Sequence, residues 1–358
     1  MYTYLGSVPL KSGEQMDLGV IRCPDPSWGA QIKPLLGHKD RPAKEFFDAA
    51  FERPLDSLET RFYVGTIGGI AVTTVMIVGA RGPAGGVGIL GHVYTRPEHR
   101  QKGAYSQLMA AQMEDIRRAG YGALTLGTGF ETPPYWIYHR FGFRSIDGVS
   151  GKMKWLANDE VEAQHFRPGA AIVRPMRWDD WPQLNLLAYQ PAEPATVCGQ
   201  AAAGEASAGG GREEHHSRTS EELPRSWVFR VKEQGGAVEG MFQAMRRNMA
   251  RGVPITALTL ASAHGAAVGW AILQPDELSF ADGWLLDLYI YPAFRDEAPH
   301  LLEALPWPPR ERVVAYSSAP DGYRAAALRA YGFKVVAELP GWLRRGHERC
   351  SLRVFARE

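Results

Sequence analysis

Two short segments of the chain occur twice, and this repeat constrains the fold more than any other feature of the sequence. Residues 95–100 (TRPEHR) align without gaps on residues 290–295 (IYPAFR). In the same way, residues 141–143 (FGF) answer to residues 331–333 (YGF). A tandem duplication is the simplest explanation, because the order of predicted elements also repeats. The sequence therefore predicts two related domains, one over residues 1–160 and one over residues 166–358.

Length and composition agree with two globular domains. The chain has 358 residues, and a domain usually takes about 150. Its 40 Lys and Arg residues balance 39 Asp and Glu residues, so the net charge indicates neither a nucleic-acid nor a membrane partner. Three widely spaced cysteines favour neither a disulfide framework nor a metal site. No export signal is recognisable in the first residues, and we expect a cytoplasmic protein that binds no metal.

Hydrophobic patterns predict alternating strands and helices in the first half. Residues 62–80 carry no charge, but Gly68 and Gly69 divide them into a buried hairpin of residues 62–67 and 70–78, which argues against a membrane helix. A helix is expected near residues 44–51, and apolar residues at helical spacing predict another over residues 103–119. The remaining expected elements are strands at 88–95, 123–126, 143–146 and 152–156 and a short helix at 133–140.

The second half shows a similar order, which makes the whole chain α/β. The expected elements are a strand at 171–173, a helix at 178–189, an interrupted helix at 228–250, a hairpin at 255–273, strands at 284–290 and 312–316, and a helix at 323–330. Residues 192–222 are rich in Gly, Ala, Ser and Glu and contain no aromatic residue. Such a segment buries too little apolar surface to order itself, and we predict a flexible insertion.

Residues 93–106 (VYTRPEHRQKGAYS) are the most informative segment for function. A strand ends there, and a turn of basic and small residues leads into a helix whose first N–H groups have no partner within the helix. A pyrophosphate would gain these donors, the positive end of the helix dipole and the charges of Arg100 and Lys102. A basic turn that merely caps a helix fits these residues equally well. By contrast, residues 86–91 (GVGILG) match GxGxxG but do not open a helix, which argues against a dinucleotide site.

The segment RQKGAY at residues 100–105 resembles the Q/R-x-x-G-x-G/A loop with which the GNAT superfamily of acyl-CoA N-acyltransferases binds coenzyme A pyrophosphate. Residues 136–143 (WIYHRFGF) are similar to the family's short helix ending in Leu-Tyr-x-Lys-x-Gly-Phe. The resemblance covers residues 60–156 well and residues 170–355 more weakly. It implies two tandem GNAT-like domains, each a mostly antiparallel twisted sheet flanked by helices.

The resemblance also implies a reaction and a set of ligand-binding residues. An acetyl or other acyl group would move from acetyl-CoA to a primary amine of a small molecule or peptide, by direct attack and a tetrahedral intermediate. Tyr105 stands where the family usually has Gly or Ala, so a bulky side chain would alter how closely the phosphates approach. The residues implied in binding the coenzyme are Val93, Tyr94, Thr95, Arg100, Gln101, Lys102, Gly103, Ala104, Tyr105 and Ser106.

Three catalytic residues are predicted for this reaction. Tyr138 matches the family tyrosine that protonates the departing thiolate, and the alternative is that it is a core aromatic. An alkylammonium has a pKa of about 10.4, so a base is needed at neutral pH. Glu131 and His92 are the main candidates and Glu98 is a third, but Glu131 could cap the next helix, His92 could pack in the core, and Glu98 could be solvated. Backbone N–H groups near residues 93–95 would stabilise the oxyanion.

The second copy departs from the family pattern. Its loop reads RDEAPH at residues 295–300, which places Asp296 and Glu297 where phosphates would bind and loses the glycine. Leu328 stands at the position of Tyr138. We therefore predict a degenerate C-terminal copy that supplies structure, part of the substrate cleft or an interface, and a homodimer is compatible with this. The alternatives for the whole chain are an inactive acyl-CoA-binding or partner-binding pseudoenzyme and a purely structural module.

Overall fold

The mixed α/β fold expected from the sequence is confirmed. The structure, a computed structural model, describes residues 1–190, 238–276, 283–319, 321–345 and 348–358. They form two mixed sheets flanked by helices. The predicted insertion at residues 192–222 and the start of the interrupted helix at residues 228–237 lie outside the described residues.

The first sheet has the order β1-β2-β3-β4-β5-β6-β8-β7. All neighbouring strands are antiparallel except β5 and β6, which run parallel. Gly68 and Gly69 both have positive φ, 55° and 78°, so the glycine pair makes the predicted turn between β3 and β4. The strands are β1 (Tyr2–Pro9), β2 (Gln15–Arg22), β3 (Glu59–Ile67), β4 (Ile70–Gly82), β5 (Gly85–Thr95), β6 (Tyr121–Gly127), β7 (Arg144–Ser145) and β8 (Lys152–Leu156).

Helices cover both faces of this sheet. On one face, α3 (Ala104–Arg118) buries Leu108 and Met109 in a cluster that includes Leu124 of β6. On the other face, α2 (Arg41–Glu52) stacks Phe51 on Phe62 of β3. The first half also contains α1 (Pro26–Leu35), α4 (Pro133–Arg140) and α5 (Val161–His165). The predicted helices and the central hairpin are therefore present, whereas the β1–β2 hairpin and α1 were not predicted.

The glycines of the GVGILG segment have a packing role inside β5. A Cβ atom at Gly86 would lie 2.8 Å from Tyr121 Cγ, and one at Gly88 would lie 2.8 Å from Leu124 Cδ2. Both distances are shorter than real Cβ atoms show, so a side chain at either position would force the facing residue of β6 to shift. The segment continues as a strand to Thr95 and opens no helix.

The second sheet repeats the order of the first without an equivalent of β1, namely β9-β10-β11-β12-β13-β15-β14. Here too one central pair, β12 with β13, is parallel. The strands are β9 (Ala171–Pro175), β10 (Thr256–Ser262), β11 (Ala267–Pro275), β12 (Gly283–Ile290), β13 (Arg312–Ser318), β14 (Lys334–Arg345) and β15 (Glu348–Arg357). The helices are α6 (Asp180–Ala188), α7 (Val238–Ala250), α8 (Ala298–Glu303) and α9 (Gly322–Ala330). This repetition fits a tandem arrangement.

The chain divides into two compact units. The first comprises Met1–Pro191, Ala237–Leu273 and Leu288–Trp307, and the second includes Gln274–Asp287 and Pro308–Glu358. The first unit therefore contains the whole first sheet together with α6, α7 and α8. The domain bounds at 1–160 and 166–358 stay a prediction. Among the described helices, none is long and apolar enough to cross a membrane.

Candidate functional site

The parallel strands β5 and β6 separate before either strand ends. Their pairing runs from Gly86–Tyr121 to Ile89–Thr125, whereas β5 continues to Thr95 and β6 to Gly127. We call this opening, formed by residues 90–95 and 126–127, the fork. A backbone that leaves its neighbour in this way has N–H and C=O groups available for a ligand.

A β-bulge lies in β5 at the fork. The pairing of β4 with β5 shifts between Thr74–Tyr94 and Met76–Gly91, so β5 has one residue more than β4 at this point. His92 takes up the extra residue with a φ of 51°, a left-handed conformation that is uncommon for a residue with a side chain. Bulges redirect the side chains around them, and this one is located where the reaction was expected.

The loop between β5 and α3 has the backbone of an anion site. Gln101 and Gly103 have φ values of 62° and 86°, and Lys102 between them has a negative φ. Alternation of left-handed and right-handed backbone is typical of loops whose N–H groups bind an anion. Helix α3 starts at Ala104, and no side chain in the described part of the chain caps its N-terminus. The nearest atom to a Cβ placed on Gly103 would be Lys11 Cγ, 4.0 Å away, so the loop is open. These features fit a pyrophosphate.

The two basic residues of the loop are already engaged. Lys102 Nζ lies 2.9 Å from Glu14 Oε2, in the turn between β1 and β2. A hydrogen bond from Ser12 and this contact with Lys102 lower the pKa of Glu14. Arg100 Nε donates to the Thr95 carbonyl at 3.0 Å, and its guanidinium lies 5.8 Å from the centre of the Tyr94 ring. Both cations of the loop therefore already have partners within the protein.

Tyr105 and Tyr138 meet between α3 and α4. Their ring centres are 6.2 Å apart in an edge-to-face arrangement, and the Tyr105 hydroxyl lies 3.4 Å from Met109 Sδ. Tyr138 is only 6% exposed, and burial raises its pKa, while its interaction with Tyr105 offsets part of that rise. Burial also raises the pKa of Tyr105. Both phenols therefore keep their protons at neutral pH.

Residues at the end of β5 face opposite sides of the sheet. Val93 packs against the same apolar cluster as Tyr138, on the side of α3. His92 lies perpendicular to Phe47 of α2, with ring centres 4.7 Å apart, on the other side. The ring centres of Tyr94 and His38 are 5.0 Å apart. The Thr95 hydroxyl lies 2.8 Å from the Thr73 hydroxyl.

The other predicted site residues differ in how far their side chains are exposed to solvent. Glu131 is exposed with a φ of 55°, and its carbonyl accepts a hydrogen bond from the Trp136 indole at 3.1 Å. The N-cap of α4 is Thr132, so Glu131 is not the residue that caps this helix. Glu98 is exposed in the 3-10 turn Pro97–His99, Ala104 is buried, and Ser106 is half-buried.

Sequence reasoning missed partners of the site residues that are distant along the chain. Glu14 pairs with Lys102 and Thr73 bonds to Thr95, although neither belongs to a recognisable motif. Their separation along the chain hides them until the strands are assembled. In the described residues, no group of three or more His, Cys, Asp and Glu side chains is placed to hold a metal ion.

Comparison with known families finds a match within the first half of the chain. Residues 42–146 match the acetyltransferase (GNAT) domain. This range contains the fork, the loop and Tyr138. A comparison with curated proteins finds no matching sequence.

Solved acetyltransferase structures are similar to parts of the chain. A ribosomal-protein-alanine N-acetyltransferase from Brucella melitensis is 15% identical, with 52% of this chain and 98% of that one covered and a TM-score of 0.34. A GNAT superfamily phosphinothricin acetyltransferase from Sinorhizobium meliloti, in complex with AcCoA, is 13% identical, with coverages of 53% and 88% and a TM-score of 0.34. NAA60 from Arabidopsis thaliana, in complex with a bisubstrate analogue, is 11% identical, with coverages of 52% and 97% and a TM-score of 0.33.

Proposed function

We propose that the chain is an N-acetyltransferase, which transfers an acetyl group from acetyl-CoA to a primary amine of a small molecule or peptide, because its residues 42–146 match the acetyltransferase (GNAT) domain. One observation carries the proposal: the open loop at the start of α3 and the buried Tyr138 belong to the same domain as a fork between parallel strands. A cytoplasmic location, a homodimer and the lack of nucleic-acid and membrane partners stay predictions from the sequence.

In this proposal, the coenzyme is held mainly by backbone groups. The N–H groups of residues 101–106 bind the pyrophosphate, helped by the dipole of α3. Backbone groups of residues 93–95 that face the fork bind the arm that carries the thioester, as an added strand would pair with β5. Acetyl-CoA supplies a thioester, an acyl donor with a good leaving group. A backbone cradle tolerates Tyr105, because this side chain turns toward Tyr138 and Met109.

In this proposal, side chains transfer two protons during the reaction. The attacking amine must lose one, and His92 and Glu131 are the proposed acceptors, since His92 lies at the bulge beside the fork and Glu131 follows β6. The departing sulfur gains one, and Tyr138 is the proposed donor. Its raised pKa keeps it protonated at neutral pH, which is the state that a general acid requires.

The first test is calorimetric titration of the full chain with acetyl-CoA, followed by an amine panel in which thiol release is measured. Binding of one acetyl-CoA per chain and release of thiol with at least one amine would support the proposal. Binding without release across the panel would favour the pseudoenzyme, and no binding would refute the proposed function.

The proton acceptor can be identified in the same assay. We expect the variant of the true base, His92→Gln or Glu131→Gln, to lose about 10²–10⁴ in kcat at neutral pH. The loss should shrink as the pH rises toward the pKa of the amine, because the amine then needs no base. A variant whose deficit is the same at every pH does not act as the base.

A further inference from the structure

Helix α6 belongs to the second half of the sequence but lies against the first sheet. It contacts β4, β5 and β6, and every residue from Asp180 to Ala188 is buried. Leu124 and Leu126 of β6 point into the α3 cluster, so Thr125 between them points to the opposite face, where α6 lies. The fork is therefore flanked by α3 and α4 on one face and by α6 on the other.

Two buried residues of this segment bond to β6 where the fork begins. Asn185 Nδ2 donates to Thr125 Oγ1 at 2.7 Å, and Thr125 Oγ1 donates to the Gly88 carbonyl of β5 at 3.3 Å. The hydroxyl of Tyr189, at the C-terminus of α6, donates to the Leu126 carbonyl at 2.9 Å. Thr125 is the last residue of β6 that pairs with β5, and Leu126 is the first that does not. The bonds thus join α6 to both sides of the point of separation.

From this geometry we infer that Asn185 and Tyr189 are positioning residues that fix the opening of the fork and so set the affinity for acetyl-CoA. This inference rests on the proposed function. All three side chains are shielded from water, with exposures of 4% for Asn185, 6% for Tyr189 and 0% for Thr125. Water cannot readily replace a lost bond at such a site, so β6 would shift to recover partners.

The same geometry gives the second copy a role in the first site. Its own loop carries two carboxylates where the first copy has its open loop. Its helix α6 nevertheless bonds to β6 at the fork. In this view, the second half of the chain does not need to bind a coenzyme in order to contribute to the reaction.

The test uses the full chain and four variants at three buried positions. Tyr189→Phe removes the bond to Leu126, and Thr125→Val removes the bonds to Asn185 and Gly88. The matched control is Gln183→Leu in the same helix, because Gln183 bonds away from the fork, to the Arg81 carbonyl at 3.3 Å and the Ala267 N–H at 2.8 Å. Thr125→Ser keeps the hydroxyl and serves as the conservative variant.

We expect Tyr189→Phe and Thr125→Val to raise the acetyl-CoA dissociation constant about tenfold, whereas Gln183→Leu and Thr125→Ser stay within about twofold of the wild type. The fork variants should also speed amide exchange at residues 125–127 more than Gln183→Leu does. This second measurement needs no activity and no coenzyme.

Three outcomes would overturn the inference. Wild-type binding by both fork variants would show that the bonds do not set the fork. An equal loss of affinity in Gln183→Leu would show a general effect of stability. A wild-type chain that binds no acetyl-CoA would refute the proposed function itself, which is a different result from the first two.

Discussion

In both copies of the repeat, the backbone leaves the central strand with the same geometry. The loops that follow then differ. The Arg96 N–H donates to the Val72 carbonyl at 2.9 Å, and in the second copy the Tyr291 N–H donates to the Val268 carbonyl at 2.7 Å. The backbone angles of Arg96 and Tyr291 agree, with φ of −54° and −58° and ψ of 139° in both. The bond to the neighbouring strand thus fixes where each loop begins.

The loops themselves have different backbones. The first has positive φ at Gln101 and Gly103, and it opens the 15-residue helix α3. Residues 295–300, all of them described, have no positive φ, and helix α8, which includes the last three of them, has only six residues. Glu297 of this loop bonds to His300 at 2.8 Å. The comparison teaches that strand pairing was kept in both copies, while the open turn at the start of a long helix exists in the first alone.

The largest expected effect concerns the acid. Tyr138→Phe should lower kcat about 10²–10⁴ while the acetyl-CoA dissociation constant changes little, because the phenol donates a proton only as the bond to sulfur breaks. A steady-state assay combined with calorimetry separates the two quantities. The wild type should lose activity only above the raised pKa of Tyr138, and the variant should lack that alkaline limb.

Two further variants test whether the loss of kcat is specific to the hydroxyl of Tyr138. Tyr135→Phe, on the same helix and also buried, should keep nearly full kcat. Adding Leu328→Tyr to Tyr138→Phe should restore nothing, because the second copy lacks the open loop. Recovered activity in the double variant would contradict the asymmetry between the copies.

The next effect concerns the loop glycine. Gly103→Glu should weaken acetyl-CoA binding about 100-fold, since it combines a positive φ that disfavours any side chain with a carboxylate next to phosphates. Calorimetry measures the loss. Gly103→Ala isolates the backbone part and should lose less. Asp296→Asn in the second loop should leave affinity and stoichiometry unchanged, and a second binding event in that variant would argue against a degenerate copy.

A third prediction concerns the pH dependence of the free energy of unfolding. It involves His165, which lies in the sequence between the two predicted domains. His165 is 1% exposed, and both ring nitrogens lack a hydrogen-bond partner among the described residues. Burial lowers its pKa to about 4, whereas the unfolded chain has the ordinary value of about 6.5. The unfolded state therefore binds the proton first as the pH falls, and the free energy of unfolding should drop by about 2 kcal/mol between pH 7 and pH 5.

Denaturant unfolding at several pH values measures this drop. His165→Phe should flatten the pH dependence in that window. Because His165 belongs to neither loop, the affinity of the folded variant for acetyl-CoA should equal that of the wild type. A pH dependence that survives in His165→Phe would assign the effect to other groups.

The smallest effect concerns the ion pair beneath the first loop. Glu14→Gln should tighten acetyl-CoA binding about threefold by releasing Lys102, and Lys102→Met should weaken it by a similar factor, because exposed ion pairs contribute little. Titrations at low and high salt measure both changes, which should shrink as salt is added. Equal affinity in both variants at low salt would show that Lys102 does not reach the coenzyme.

Much of the first domain follows from local sequence pattern. The Gly68-Gly69 turn, helix α4 over Pro133–Arg140 and helix α3 all have signals within a few residues. The matching glycines after α4 and α9 have φ values of 94° at Gly142 and 86° at Gly332, as expected where a helix ends with a left-handed residue. Local backbone preference is therefore enough to predict these elements without knowledge of distant contacts.

The sequence by itself determined the alternation of elements, the repeat and the loop that precedes α3, because each depends on residues that are neighbours along the chain. Only the tertiary structure decided that β5 and β6 separate at Thr125, that Tyr105 turns toward Tyr138, and that Asn185 and Tyr189 bond to the first sheet. The Asn185–Thr125 bond joins residues 60 positions apart. Such contacts follow from how sheet and helices pack, and no local preference specifies them.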